Sequence, residues 1–240
     1  LSLPFSPVAT ARETGAASIA RQLGTAIVRG DYLPGATLPG ELELAAQFGA
    51  SRNLVREAIK GLAGKGLLES RKKAGTRVRP RVDWQMLDPD LLGWRLEHGP
   101  ELGFATSLLA LREAIEPAAA AAAARFQDKA AITLIRTAFT GMVATQADRR
   151  RFAAPDLQFH KAILAASGNE FMTAFGSMIE AALAAFIRIS LRHTEAPGPS
   201  IPLHEAVLLA IEAGDSDAAS AAMIALLTRT RTNIEKDAKP

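Results

Sequence analysis

The 240-residue chain contains no cysteine, which excludes disulfides and thiolate metal sites and leaves the redox compartment unreported. No apolar run approaches the roughly 20 residues that a membrane-spanning helix needs, because charged or polar residues interrupt even the Ala-rich stretches. The segment Leu1-Ser2-Leu3-Pro4-Phe5 lacks the charged start and long apolar core of a secretory signal. There is no internal repeat, and no acid, base and nucleophile stand at a spacing recognisable as catalytic. These absences lead us to expect a soluble cytoplasmic protein that works by binding and is not an enzyme.

The charge that is present is unevenly placed. Residues 1–80 hold 12 Lys/Arg against 6 Asp/Glu, net +6, whereas residues 81–240 hold 16 against 19, net −3, giving the overall +3. A basic module attracts phosphate through counterion release, so nucleic acid is the expected partner of the first third only. The length suits two modest domains, each with its own core.

Between residues 38 and 79 the pattern is that of a winged helix-turn-helix. A helix over Glu41–Phe48 and a second opening at Ser51 are separated by the small turn Gly49-Ala50, and Leu44, Phe48, Val55, Ile59 and Leu62 fall at helical spacing to brace the pair. Ser51 is placed to cap the second helix. Ser51, Arg52, Asn53 and Arg56 then sit at the end of the helix that would enter a major groove, where Arg pairs with guanine, Asn with adenine, and Ser with a base or a phosphate. Two short strands, Leu67–Ser70 and Thr76–Arg79, make a wing whose Lys72, Lys73, Gly75 and Thr76 are candidate backbone contacts. Six basic residues and no acid lie between Arg71 and Arg81. The bland alternative, a plain helix start followed by a solvated basic loop, explains each signal singly but not their order.

We expect a mobile arm over residues 1–13, the reader over 14–80, with a first helix from Thr14 to Arg29, and a helical bundle over 81–240. Asp88-Pro89 starts a short helix that Gly99 ends. Longer helices are expected over Leu102–Phe126, Asp128–Gln146, Pro155–Ala166, Glu170–Leu191, Pro202–Ala213 and Ser216–Lys236, broken at Gly168, Pro197-Gly198-Pro199 and Gly214-Asp215. The fold class is therefore mostly α: an N-terminal winged helix-turn-helix followed by an antiparallel all-α bundle.

Within the bundle, Asp156 and His160 are four residues apart on one helix face, continued by Ile163, Leu164 and Ser167. His204 heads a stripe of Val207, Leu208 and Ile211, so it too points inward. Converging nitrogen and oxygen donors of this kind hold Zn²⁺, Ni²⁺ or a similar divalent ion. The alternative is a pair of core histidines with Asp156 as their hydrogen-bond partner. Arg112 and Arg188, both in apolar helices, are candidate forks for a small carboxylate, with surface placement as the alternative.

Leu33-Pro34-Gly35 through Leu38-Pro39, Leu44-Ala45, Ser51-Arg52, Val55-Arg56-Glu57-Ala58 and Gly66-Leu67-Leu68-Glu69 carry a resemblance to the reader of GntR-family transcriptional regulators. Arg112-Glu113, Glu116-Pro117, Asp156-Leu157-Gln158-Phe159-His160, Ser167-Gly168-Asn169, His204 and Gly214-Asp215 resemble the FadR-like branch, whose C-terminal half is the FCD domain. Trp84, Leu87-Asp88, Asp90-Leu91-Leu92 and Trp94 are similar to the linker helix of its galactonate-operon repressors. The resemblance implies that Asp156, His160 and His204 converge on a metal, that they share a pocket with a carboxylate effector such as a sugar acid, and that a homodimer grips double-stranded operator DNA. It implies a repressor of a hydroxy-acid catabolic operon, against the alternatives of a metal-dependent helical-bundle enzyme and an architectural DNA binder. Two departures stand out. Leu42 occupies a position where some relatives place a DNA-gripping arginine, and Leu226 one where many have a third histidine.

Overall fold

The computed structural model describes residues 15–71, 75–97, 102–190 and 200–237. They fall into two compact units, the first holding the described residues up to 97 and the second those from 102.

In the first unit α1 (Ala16–Arg29) buries Ile19, Leu23 and Ile27 on one face. Gly30, at φ 96°, ends it by donating its N–H to Ile27 O. Helix α2 (Glu41–Phe48) stops at Gly49 in the left-handed conformation, and α3 (Arg52–Gly64) starts immediately after, with the Ser51 hydroxyl accepting from Leu54 N at 3.4 Å. Leu44, Val55, Ile59 and Leu62 close over α1 in a shared core, as their spacing predicts. The strands β1 (Leu68–Arg71) and β2 (Gly75–Val78) are antiparallel, with Leu68 opposite Val78 and Ser70 opposite Thr76. Leu38 N donates to Thr76 O and Thr37 bridges Arg77, which ties the wing to the loop before α2.

The first unit extends beyond the expected boundary at residue 80. After a 3₁₀ turn (Arg81–Asp83), α4 (Pro89–Glu97) packs on α1, and Trp84, Leu91 and Trp94 join the reader core. Asp88 caps α4 by accepting from Asp90 N and Leu91 N, and the same carboxylate pairs with Lys65 at the end of α3. The indoles account for the shift of boundary: Trp94 sits against Gly24 of α1, where a side-chain carbon would collide with its ring, and Trp84 Nε1 donates to Arg79 O at 3.0 Å.

Gly66 is the tightest point of this unit. Its φ is +78°, and a Cβ there would lie 2.1 Å from the Asp83 carbonyl oxygen. Gly66→Ala is therefore expected to cost about 2 kcal/mol or more, the left-handed penalty alone being about 1–2. Both tryptophans of the chain lie in this unit, so urea unfolding followed by tryptophan emission reads it directly. An unchanged midpoint would show that the turn after the wing gives way without cost.

In the second unit α5 (Leu102–Phe126) packs against α7 (Arg149–Ala166), α9 (Gly176–Ser190), α10 (Ile201–Glu212) and α11 (Ser216–Asp237), while α6 (Lys129–Thr145) packs against α7 and α10. Ala119, Ala120, Ala123 and Ala124 are buried on α5, and side chains this small let neighbouring helices approach closely. Two expected boundaries move. Helix α7 starts at Arg149, six residues before Pro155, because Asp148 caps it by accepting from Arg150 N and Arg151 N. The helix expected over Glu170–Leu191 is broken after a five-residue α8 (Glu170–Ala174), capped by Asn169. Among the described residues no helix is long and apolar enough to cross a membrane. The expected arm at 1–13 lies outside the described residues.

Candidate DNA interface and candidate metal centre

The start of α3 presents Ser51, Arg52, Asn53 and Arg56 to solvent, while Val55 between them is fully buried. Ser51 spends its hydroxyl on the helix cap. Arg56 is held in a fork: Nε donates to Glu41 Oε1 at 3.1 Å and Nη2 to Glu41 Oε2 at 2.8 Å, with Arg52 Nη2 3.6 Å from the same oxygen. Hydrogen bonding from Arg56 lowers the Glu41 carboxyl below its ordinary value, although the pair is exposed and adds little stability. Sequence reasoning missed Glu41, since nothing in a periodicity links the first turn of α2 to a residue fifteen positions on. In the wing Gly75 takes a positive φ of 79°, and the Thr76 hydroxyl is 3.0 Å from Ser70 Oγ. Lys72 and Lys73 lie outside the described residues. Leu42 is exposed on α2.

In the second unit Asp156 and His160 on α7 meet His204 on α10, one ligand atom of each lying within 4.8 Å of the others. Both imidazoles are almost wholly buried. His204 Nδ1 is 2.9 Å from Ser200 O, an oxygen that can only accept, so Nδ1 carries a proton and Nε2 is the ring nitrogen turned inward. That Nε2 is 3.1 Å from Asp156 Oδ1, with no hydrogen bond to satisfy it. A ring nitrogen and a carboxylate oxygen at this distance need a proton or a metal between them. His160 has the same polarity: Nδ1 is 2.6 Å from Glu116 Oε2, and Nε2 is 3.8 Å from Asp156 Oδ1. Metal-binding histidines ordinarily donate their second ring nitrogen to a carboxylate or carbonyl in this way, so the donor set fits a divalent ion. The rings of Phe159 and His204 meet edge-on at 5.2 Å, shielding the cluster.

Two further groups complete the pocket. Arg112, expected as an effector cation, is 1 % exposed, with Nε donating to Glu116 Oε1 at 2.5 Å and Nη2 3.1 Å from His160 Nε2. Burial alone would raise the Glu116 carboxyl; the Arg112 guanidinium and the His160 imidazole outweigh it and hold the group at about 2. Burial would raise the Asp156 carboxyl as well; its close approach to the His204 and His160 rings outweighs this and holds the group below its ordinary value. Glu116 carried part of the family resemblance but was given no site role from the sequence, although an Arg–Glu pair four apart inside an Ala-rich stripe was a signal for one. The side chain of Arg188, on α9, lies outside the described residues.

A basic winged helix-turn-helix joined in one chain to a helical unit with a buried donor cluster is the architecture of a DNA-binding transcription factor. Residues 16–78 match the family model for bacterial regulatory proteins of the gntR family, and residues 107–229 match the FCD domain. The chain belongs to the GntR family of bacterial transcriptional regulators, in its FCD-containing branch. It is 32 % identical over 215 residues to the galactonate operon transcriptional repressor of Escherichia coli K12, covering 89 % of this chain and 94 % of that one. It is 35 % identical over 211 residues to the HTH-type transcriptional regulator YieP of the same organism, covering 87 % and 90 %. A GntR structure from Streptococcus agalactiae matches at 25 % identity with a TM-score of 0.50, covering 91 % of this chain and 99 % of that one. These relatives are transcriptional regulators, and the metal-dependent enzyme alternative falls with them.

Proposed function

We propose that the protein is a homodimeric repressor of a sugar-acid or related hydroxy-acid catabolic operon, acting in the cytoplasm and released from its operator by a small carboxylate. The effector would bind at Asp156, His160 and His204 together with a divalent metal such as Zn²⁺ or Ni²⁺. The observation that carries this reading is the buried His204 Nε2 facing Asp156 Oδ1 at 3.1 Å, beside the Arg112 guanidinium. Three protein ligands leave positions in the metal's shell for the carboxylate and hydroxyl of an acid. The similarity to a galactonate operon repressor over most of both chains supports the effector class. Control would be allosteric: an acid favouring one arrangement of the two readers shifts the population away from DNA-competent spacing, and DNA must weaken acid binding by the same factor.

A thermal-shift screen of sugar acids, with and without Zn²⁺ or Ni²⁺, tests this. The expected result is a metal-dependent rise in melting temperature with one class of hydroxy-acid, the same acid releasing the protein from DNA in gel shifts. No response to any acid would favour an architectural DNA binder.

The homodimer would form through the helical domain of residues 81–240; one recognition helix covers too little of the groove for a specific site, and paired readers match a palindrome. Light scattering of the full chain at micromolar concentration should give twice the mass of the 25.4 kDa chain. A monomer there would remove the paired-reader mechanism.

The wing's contribution can be separated by salt. Replacing Lys72 and Lys73 by Ala should weaken specific and random DNA about equally, and reduce the slope of log affinity against log salt by about 2, near one unit per lost phosphate contact. An unchanged slope would place these lysines away from the phosphates.

A further inference from the structure

Glu116 and Arg112, one turn apart on α5, are fully buried beside the donor cluster without belonging to its ligand set. Glu116 divides its carboxylate between two neighbours, Oε1 accepting from Arg112 Nε at 2.5 Å and Oε2 from His160 Nδ1 at 2.6 Å and, more weakly, from Arg112 Nη2 at 3.4 Å. With its proton on Nδ1, His160 has its lone pair on Nε2, the nitrogen nearer Asp156. Arg112 Nη2 lies 3.1 Å from that same Nε2 and carries only hydrogens to give, so it donates to the lone pair.

We infer that Glu116 is the positioning residue of the centre: it fixes His160 with Nε2 toward Asp156 and His204, and it holds Arg112 on that Nε2, so that a divalent cation and Arg112 are alternative partners of one lone pair. The inference rests on the metal reading above. A nitrogen lone pair serves one cation at a time, and a metal at the roughly 2.1 Å of a metal–imidazole bond displaces a guanidinium N–H from it. Arg112 need not leave the pocket when that happens, because its Nε remains tethered to Glu116. Its Nη2, still within reach of Glu116 Oε2, then has the N–H that faced the imidazole to offer to whatever anion shares the site. Metal binding thereby prepares a charge-assisted donor for a carboxylate, and the two ligands favour one another through a side chain that ligates neither the metal nor its open positions.

The test uses zinc alone as probe. Calorimetric Zn²⁺ titrations of wild type, R112M, R112K and the double variant R112M/E116L are run beside long-range ¹H–¹⁵N spectra of the metal-free, ¹⁵N-histidine-labelled proteins, which carry only four imidazoles. The double variant removes both charges together, so no buried ion is stranded, and melting curves confirm that each protein folds. We expect R112M to bind zinc about tenfold more tightly than wild type. R112K should tighten as well, since it keeps the charge but lacks the fork that spans Glu116 and His160. R112M/E116L should bind at least tenfold more weakly than R112M, the usual effect of losing a ligand's supporting partner being about 10–100-fold. His160 should be a single Nδ1–H tautomer in wild type and a mixture in the double variant. Tightening in R112M but not R112K would assign the effect to bulk charge and overturn the competition. Equal affinity and an unchanged tautomer in R112M/E116L would overturn the role of Glu116. If neither wild type nor R112M binds zinc, the metal reading itself fails and this inference goes with it; zinc binding in R112M alone supports both.

Discussion

Arg56→Ala and Arg52→Ala should each weaken specific operator binding by about 1–3 kcal/mol, roughly ten- to hundredfold, while leaving the protein's melting temperature and any acid response unchanged. Both side chains are about half exposed at the start of α3, and their only described ion pair is to Glu41, so the fold loses little without them. The effect on DNA should not be equal. With Nε and one Nη2 hydrogen of Arg56 taken by Glu41, the guanidinium is presented by its Nη1–Nη2 edge, an orientation that can still bond two acceptors of a guanine. Removing Arg56 takes away that edge and also strips the Glu41 carboxylate of its closest cation. Arg56→Ala is therefore the more damaging of the two, and Arg56→Lys should recover only part of the loss because an ammonium cannot fork. Gel shifts against a selected operator and against random duplex distinguish base reading from phosphate attraction. Equal losses on both DNAs would demote these arginines to backbone contacts.

The reader was legible because its signals are local. Gly49 ends one helix, Ser51 caps the next, and the apolar residues between them recur at helical spacing, so each element is determined within a few residues of itself. The convergence of Asp156, His160 and His204 came half from pattern and half from resemblance: spacing put each on an inward face, but only packing of α7 against its neighbours brings two helices' donors within 4.8 Å. What the sequence hid were partnerships across long separations. Glu41 reaches Arg56 across fifteen positions, and Glu116 reaches His160 across forty-four. The same holds for α4, whose indole, Trp94, could have been buried against either unit and whose place on α1 depends on the room above Gly24. Capping moved the helix ends for a more local reason: Asp148 satisfies two orphan N–H groups, which carries α7 through Pro155 instead of starting there.

Leu226→His should raise the affinity for Zn²⁺ by at least tenfold and blunt the response to an acid that uses an open coordination position. Leu226 is 3 % exposed on α11, on an inward stripe with Met223 and Thr230, and α11 packs against α10, which carries His204. The family resemblance implies a histidine at the matching position of other members, so an imidazole here would supply the fourth protein ligand of a closed tetrahedral site. Closing the site is what removes the effector's place, since a metal with four protein donors has no position left for a carboxylate. The opposing outcome has a different signature. If Leu226 is only core, the new imidazole is a buried polar group without a partner, costing about 1–3 kcal/mol and gaining nothing from metal. Melting curves with and without Zn²⁺ separate the two, because a ligand binding only the folded state stabilises it in proportion to the logarithm of its concentration over Kd. A variant destabilised equally in both conditions, with no heat of zinc binding in either protein, would falsify the metal centre at Asp156, His160 and His204.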